Sequence, residues 1–225
     1  MFGDVAKADV IMSFMPGTNT TMDSFYSSTA GGGLTSMTRR MVDNPPPGVE
    51  VAGFVLKQGF FPNLAPPEVA VLGPQVNLWA LPLGSRYAAF EEELDVITDS
   101  TPLVSVEHSF GSSPGGHAER LGADFQARVL LAGIGMTDGW EAQDDTDYYA
   151  IQGPSDINRA FDGVQSDPYG YAVTPSKVNG FTELDSGFIG FDPLGQHEGV
   201  ISPDPSVNRS THRHLERIFA EVAHK

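Results

Sequence analysis

Pro102-Leu103-Val104-Ser105-Val106-Glu107-His108-Ser109-Phe110-Gly111-Ser112-Ser113 is the stretch on which the reading of this chain turns. An apolar run suited to a buried strand passes without a break into His-Ser-Phe-Gly and then into small residues. That is the strand–turn–helix setting of a nucleophile elbow. In such an elbow a serine sits on a sharp turn, its hydroxyl is thrust clear of the backbone, and the next N–H points at the reacting oxygen. So tight a turn asks for glycine two residues before and two residues after the serine. Gly111 meets the second demand, whereas Glu107 occupies the first position. The competing reading is an ordinary strand-to-helix turn with Ser109 as a cap. Along the strand Glu107 alternates with Leu103 and Ser105, so its carboxylate is expected under the turn or leaning out beside the site. There it would crowd the elbow, repel a developing oxyanion and hinder the reaction.

Working outward, Val10–Met15 is a short apolar run that stops at Pro16-Gly17, and Val49–Leu56 is a second one after Pro45-Pro46-Pro47-Gly48. Both read as strands. Phe125–Leu131 and Asp147–Ile151 read as two more. Leu83, Tyr87, Phe90, Leu94 and Ile97 follow the spacing of an amphipathic helix, as do Leu215, Ile218, Phe219 and Val222 near the end of the chain. Met22–Met41 has helical character at both ends and a break at Gly31-Gly32-Gly33. Strands alternating with helices predict a mostly parallel central sheet with helices on both faces, in one domain over 1–225. Residues 58–82 are rich in Pro and Gly and carry Phe60, Phe61, Leu64, Val69, Val71, Leu72 and Trp79. They are expected to form a flap beside the site, or else simply to cover the core.

A serine nucleophile needs a base, the base needs an orienting acid, and the oxyanion needs donors. In the α/β-hydrolase arrangement the chain order is Ser, acid, His. Asp156, just after the strand Tyr148-Tyr149-Ala150-Ile151, is the candidate acid; its plainer role is a helix cap. His197, in Gly195-Gln196-His197-Glu198-Gly199, is the candidate base, expected on a loop before the last helix, and its plainer role is a solvated loop histidine. His212 and His214 fall within that helix, His108 adjoins the serine, His117 lies on the following helix, and His224 is at the end of the chain. The loop Pro16-Gly17-Thr18-Asn19-Thr20 assigns one oxyanion N–H to Thr18, and the elbow assigns the other to Phe110.

With these motifs in order, the chain resembles a family of actinobacterial α/β-hydrolase proteins. That family carries a Pro-Gly-Thr-Gly-like loop, a Gly-His-Ser-Tyr-Gly-Ser elbow, a Pro-Gly-Asp motif and a late Gly-His. The matching residues here are Met15-Pro16-Gly17-Thr18-Asn19-Thr20, Glu107-His108-Ser109-Phe110-Gly111-Ser112, Gly153-Pro154-Ser155-Asp156 and Gly195-Gln196-His197. The similarity runs from about Gly3 to the last helix. Three departures stand out: Glu107 and Ser155 replace glycines, and Gln196 intrudes before His197. The resemblance implies a serine hydrolase that needs no metal or organic cofactor.

Composition narrows the partners. The chain has 225 residues, 13 Lys plus Arg against 29 Asp plus Glu, a net charge of −16 and no cysteine. So acidic a surface disfavours nucleic acid and anionic lipid. The lack of cysteine excludes disulfides, thiolate metal sites and a cysteine nucleophile. No run suits a membrane span. The N-terminus lacks a cationic region, so no signal peptide is expected, and the chain is expected in the cytoplasm unless it is a domain of a secreted parent with neighbouring domains. Asp144, Asp145, Asp147 and Asp162 lack the pattern of a calcium loop and read as a solvated acidic turn. The expectation is an esterase acting on a small or lipid-like ester. The alternative is a catalytically impaired fold that serves as a binding or assembly module.

Overall fold

The run Val10–Met15 is buried at every position and forms β1, a central strand of a six-stranded parallel sheet. In a computed structural model the described residues are 1–26, 32–67, 69, 73–74, 78–99, 101–137, 139–161 and 180–225. After β1 come α1 (Met22–Tyr26), α2 (Gly32–Asp43), β2 (Val51–Val55), α3 (Ala80–Thr98) and β3 (Leu103–His108). A single 3-10 turn, Ser109–Gly111, leads into α4 (Ser112–Arg120). Then follow β4 (Ala127–Leu131), β5 (Asp147–Ile151), a 3-10 turn at Ile157–Phe161, β6 (Phe181–Leu184), α5 (Pro193–Gly199) and α6 (Pro205–Ala223). The strand order is β2-β1-β3-β4-β5-β6, and every neighbouring pair is parallel.

Side chains of a strand alternate between faces, and the sheet therefore has two cores. Val10, Met12 and Phe14 of β1, with Val104 and Val106 of β3 and Val129 of β4, pack under Met37 and Met41 of α2 and Leu215, Ile218 and Phe219 of α6. Ile11 and Met15 of β1 and Leu103 of β3 pack on the other face with Tyr87 and Leu94 of α3 and Ala118 of α4. Burial of both faces explains why these strands read as near-continuous apolar runs.

The expected strands and the helices at Leu83–Ile97 and Leu215–Val222 are present, the helices being longer than their apolar stripes. The helical stretch after Met22 is two elements; Gly32 and Gly33 open α2 rather than break a helix, and Gly31 lies outside the described residues. β6 and α5 were not expected. Phe-Thr-Glu-Leu has no apolar run to announce a strand, and its middle residues are exposed at the sheet edge. Among the described residues no helix is long and apolar enough to cross a membrane.

Candidate active site

The chain leaves β1 toward β2 on one side and reaches β3 on the other. Such a reversal opens a crevice beyond the carboxyl ends of β1 and β3. The register pairs Met15 with Glu107. The next residues of each strand, Pro16-Gly17 and His108-Ser109, therefore emerge side by side. Contact there is close: a Cβ on Gly17 would stand 2.8 Å from Ser109 Cβ and 3.1 Å from His108 Nδ1.

Ser109 has φ 53°, a left-handed backbone that costs a non-glycine residue on the order of 1–3 kcal/mol unless its surroundings impose it. They do so here. Gly111 lies against the end of β1, where a Cβ would run into Met15 O and come within 3.0 Å of Pro16 O. Ser112 Oγ contacts Ser109 O at 3.0 Å and Gly135 O at 2.8 Å, and Ile134 N–H donates to Ser109 O at 3.1 Å. The serine is thus held on its turn from both sides.

The registers of β3 with β4 and of β4 with β5 carry the site sideways. His108 pairs with Leu131, and Leu131 with Ile151, so Ala132 and Gln152 follow in the same row beyond the strand ends. Asp156 lies on the loop after β5 and is 2% exposed. Its Oδ1 accepts from Gln152 Nε2 at 3.1 Å and from the Asn158 backbone N–H at 2.8 Å. Asn158 is itself anchored, its Nδ2 donating to Ala132 O at 2.7 Å. That leaves Asp156 Oδ2 to face His197 Nδ1 at 3.1 Å, while His197 Nε2 lies 3.1 Å from Ser109 Oγ.

His197 stands on α5, a helix, rather than on the expected loop. Asp192 caps that helix, its Oδ1 accepting from Gly195 N–H at 3.0 Å. Gln196 Oε1 accepts from Ser155 N–H at 2.9 Å, and Ser155 Oγ accepts from Asp192 N–H at 3.0 Å. Gln196 also fills the space over Gly153, where a Cβ would lie 2.7 Å from its own Cβ. Ser155 and Gln196 thus knit the loop of Asp156 to the helix of His197.

Glu107 is a correction. Its side chain neither crowds the elbow nor faces the site. It points to the α3–α4 face and is fully buried. Arg128 Nε donates to its Oε1 at 2.9 Å, Arg128 Nη2 to its Oε2 at 2.7 Å, and Ser105 Oγ to Oε1 at 2.6 Å. Arg128 Nη1 also reaches Glu119 Oε2 at 2.5 Å, and Tyr148 OH donates to Glu119 Oε1 at 2.7 Å. Burial pushes the Glu107 carboxyl up, against the pull of Arg128. Space for the carboxylate comes from Gly115 of α4, whose Cβ would stand within 2.6 Å of Oε2.

Gly17 brings the loop after β1 against Ser109, and Thr18 follows it, half-buried. Phe110 is buried, its ring packed with Ala80, Leu83 and Ile134 and 6.3 Å from Phe61. Residues 58–67 join the same loop: Asn19 N–H donates to Pro62 O at 2.9 Å and Leu64 N–H to Asn19 Oδ1 at 2.9 Å. Phe61 and Trp79 pack against the cluster around Phe110, while Phe60, Leu64, Leu78 and Leu81 are exposed. Val71 and Leu72 lie outside the described residues. His212 Nε2 donates to Ser202 O at 2.9 Å and His214 Nε2 to Asp185 O at 3.1 Å, so both are engaged elsewhere. Among the described residues no His, Cys, Asp or Glu cluster suits a metal; Asp147 pairs with Lys225 at 2.6 Å, and Asp162 lies outside them.

Sequence reading missed Gln152, Asn158 and the bond that His108 makes. His108 Nε2 is 3.1 Å from His197 O, and the two rings are 4.9 Å apart. Burial first, and then the neighbouring His197, push the His108 imidazole down to about 3. No spacing rule marks such partners, which meet only through the sheet registers.

No family model matches the chain, and no curated protein sequence matches it. Solved structures do. A carboxylesterase from Mesorhizobium loti is similar at 13% identity, over 96% of this chain and 90% of that one, with a TM-score of 0.51. An acetyl xylan esterase is similar at 12% identity over 95% and 98%, with a TM-score of 0.48. A cutinase-like protein from Cryptococcus sp. is similar at 9% identity over 95% and 92%, with a TM-score of 0.47. The open parallel sheet flanked by helices, with the likeness at 0.51, is an α/β-hydrolase-type fold.

Proposed function

We propose that the protein is a serine esterase in which Ser109 is the nucleophile, His197 the base and Asp156 the orienting acid. One observation carries the reading: the unbroken line from Ser109 Oγ to His197 Nε2 at 3.1 Å and from His197 Nδ1 to Asp156 Oδ2 at 3.1 Å. Asp156 fixes the tautomer that leaves a lone pair on Nε2. As Ser109 Oγ attacks the acyl carbon, its proton passes to His197 Nε2, and the carbonyl π electrons move to oxygen. The N–H groups of Thr18 and Phe110 receive that oxyanion. The C–O bond to the alcohol then breaks, and His197 returns the proton to the leaving oxygen. Water, deprotonated by the same His197, then attacks the acyl carbon, the bond to Ser109 Oγ breaks to release the acid, and His197 returns the proton to Oγ. This chemistry uses no metal and no organic cofactor.

The substrate side favours an apolar acyl group, because Phe60 and Leu64 expose apolar surface on a segment bonded to the loop of Thr18. The similar structure of highest TM-score reported above is called a carboxylesterase, in agreement with this reading. Pairing of Glu107 with Arg128, on the face away from Ser109 Oγ, weighs against the rival reading of an impaired fold kept as a binding module.

Intact-mass analysis after treatment with a fluorophosphonate tests the reading. One adduct is expected on the native chain and none on Ser109→Ala; equal labelling of both would sink the nucleophile. Asp156→Asn should keep the fold and lose on the order of 10⁴ in kcat on an activated ester.

A further inference from the structure

His108 is buried, and the bond from its Nε2 goes to a backbone carbonyl, that of His197, at 3.1 Å. A carbonyl oxygen only accepts, so Nε2 carries the proton and the neutral ring keeps its lone pair on Nδ1. That Nδ1 faces the loop after β1, lying 3.1 Å from where a Cβ on Gly17 would stand. The ring therefore fills the space between the loop after β1, the elbow and α5. It is not a second base, since its lone pair on Nδ1 faces the loop after β1 and Ser109 Oγ meets His197 Nε2 instead.

The anchors of α5 explain why this bond counts. Gln196 and Asp192 tie the helix to Ser155, on the loop that carries Asp156. They set His197 relative to its acid. The bond from His108 sets the same main chain relative to the elbow. Downstream of α5, Val200 and Ile201 sit in the core and Asn208 Nδ2 donates to Val200 O at 2.9 Å, so what the His108 bond adds is the placement of the His197 backbone against the elbow itself. A displacement of about 1 Å at a reacting pair is enough to cost about 10²-fold in rate.

We propose that His108 is a positioning residue, a neutral strut whose Nε2–H holds the backbone of His197 at the reach at which its imidazole meets Ser109 Oγ. The proposal rests on the reading of Ser109 and His197 as nucleophile and base.

Its test uses the full chain with two readouts, steady-state hydrolysis of p-nitrophenyl acetate and the rate of fluorophosphonate inactivation, beside a thermal melt. His108→Phe keeps a ring and removes the donor. His108→Gln places an amide Nε2–H where the imidazole N–H was. The expected result is a fall of about 10²-fold in both kcat and inactivation rate for His108→Phe, with KM moving less than about 3-fold, and recovery to within about 5-fold of the native rate in His108→Gln. If His108→Phe does not fold, His108→Asn supplies the contrast, because its shorter amide falls short of His197 O and should stay slow where Gln is fast. Native rates in His108→Phe would overturn the proposal. So would equal loss in the Gln, Phe and Asn variants, which would mean that the site needs the ring itself and not its donor. A native chain that takes no adduct at Ser109 would fail the esterase reading, and the strut with it; an adduct on the native chain with no effect of His108→Phe would fail the strut alone.

Discussion

Glu107, Arg128 and Glu119 place ionisable groups out of water within one cluster, and every one of them has a partner there. Such a cluster adds little to stability while intact, but removal of one member leaves buried donors or acceptors unpaired, at about 1–3 kcal/mol. Glu107→Gly would restore the glycine that an elbow usually has. It should nevertheless destabilise the chain by about 1–3 kcal/mol in urea unfolding, because Arg128 keeps Glu119 as its counter-charge but has N–H groups left bare. Ester turnover by the folded fraction should change by less than about tenfold, since no partner of Glu107 touches substrate. A rise in activity with unchanged stability would restore the crowding that the bare motif suggests. Alternation along β3 was legible in the sequence and gives the face correctly: Leu103, Ser105 and Glu107 do share one. What alternation cannot say is what waits on that face. Arg128 is 21 residues away and enters only through the pairing of β3 with β4. Ser155 and Gln196 are likewise odd in isolation and complementary in space, 41 residues apart.

At the scale of elements, α4 runs over β3 with glycine where the sheet carries its buried carboxylate. Alanine at Gly115 would gain up to about 1 kcal/mol of helix propensity. Against that stands a methyl group driven into a carboxylate that Arg128 and Ser105 hold in place, and overpacking of this kind costs about 1–3 kcal/mol. The second effect should win, so Gly115→Ala is expected to lower Tm. Gly116→Ala offers the contrast on the same helix: its Cβ would meet Met136 Sδ at 3.0 Å, the end of a flexible side chain that can move. Near-equal melts for the two variants would contradict the packing argument. The same contrast between local pattern and tertiary context decides which elements a reader of the sequence can find. β1, β3, β4 and β5 announce themselves because residues buried on both faces of a sheet must be apolar along most of their length. β6 lies at the edge with exposed residues, and α5 is short and opens on Pro193 after an Asp cap, so neither shows a period long enough to count.

At the scale of the whole molecule the net charge of −16 is plain from composition, but where the repulsion concentrates is not. Between α3 and the segment Leu121–Asp124, on the side where β3 begins, a groove of about 720 Å³ is lined by Glu91, Glu92, Asp95 and Asp124 among others. Burial first, with Asp95, Asp124 and Glu92 adding to it against the hydrogen bond from Asp124, pushes the Glu91 carboxyl up to about 7. An acid whose folded pKa exceeds its unfolded value binds more protons when folded. Its contribution to stability is therefore present at pH below the unfolded value of 4.5 and is lost as pH rises from there through about 7. Glu91→Gln cannot ionise and should escape that loss. Near pH 4.5 the variant and the native chain should melt alike, whereas at pH 8 the variant should be the more stable. Solvent screening of a partly open groove limits the gain to about 2–4 °C in Tm, the shift that about 1 kcal/mol produces in a chain of this size. Salt separates the causes. At about 1 M the screening length falls to about 3 Å, which mutes the neighbouring carboxylates but leaves burial untouched. Since burial is the larger cause, the difference at pH 8 should shrink in salt without vanishing. Complete loss of the difference in salt would assign the shift to repulsion, and parallel melts of the two chains at every pH would show that Glu91 ionises freely in the folded protein.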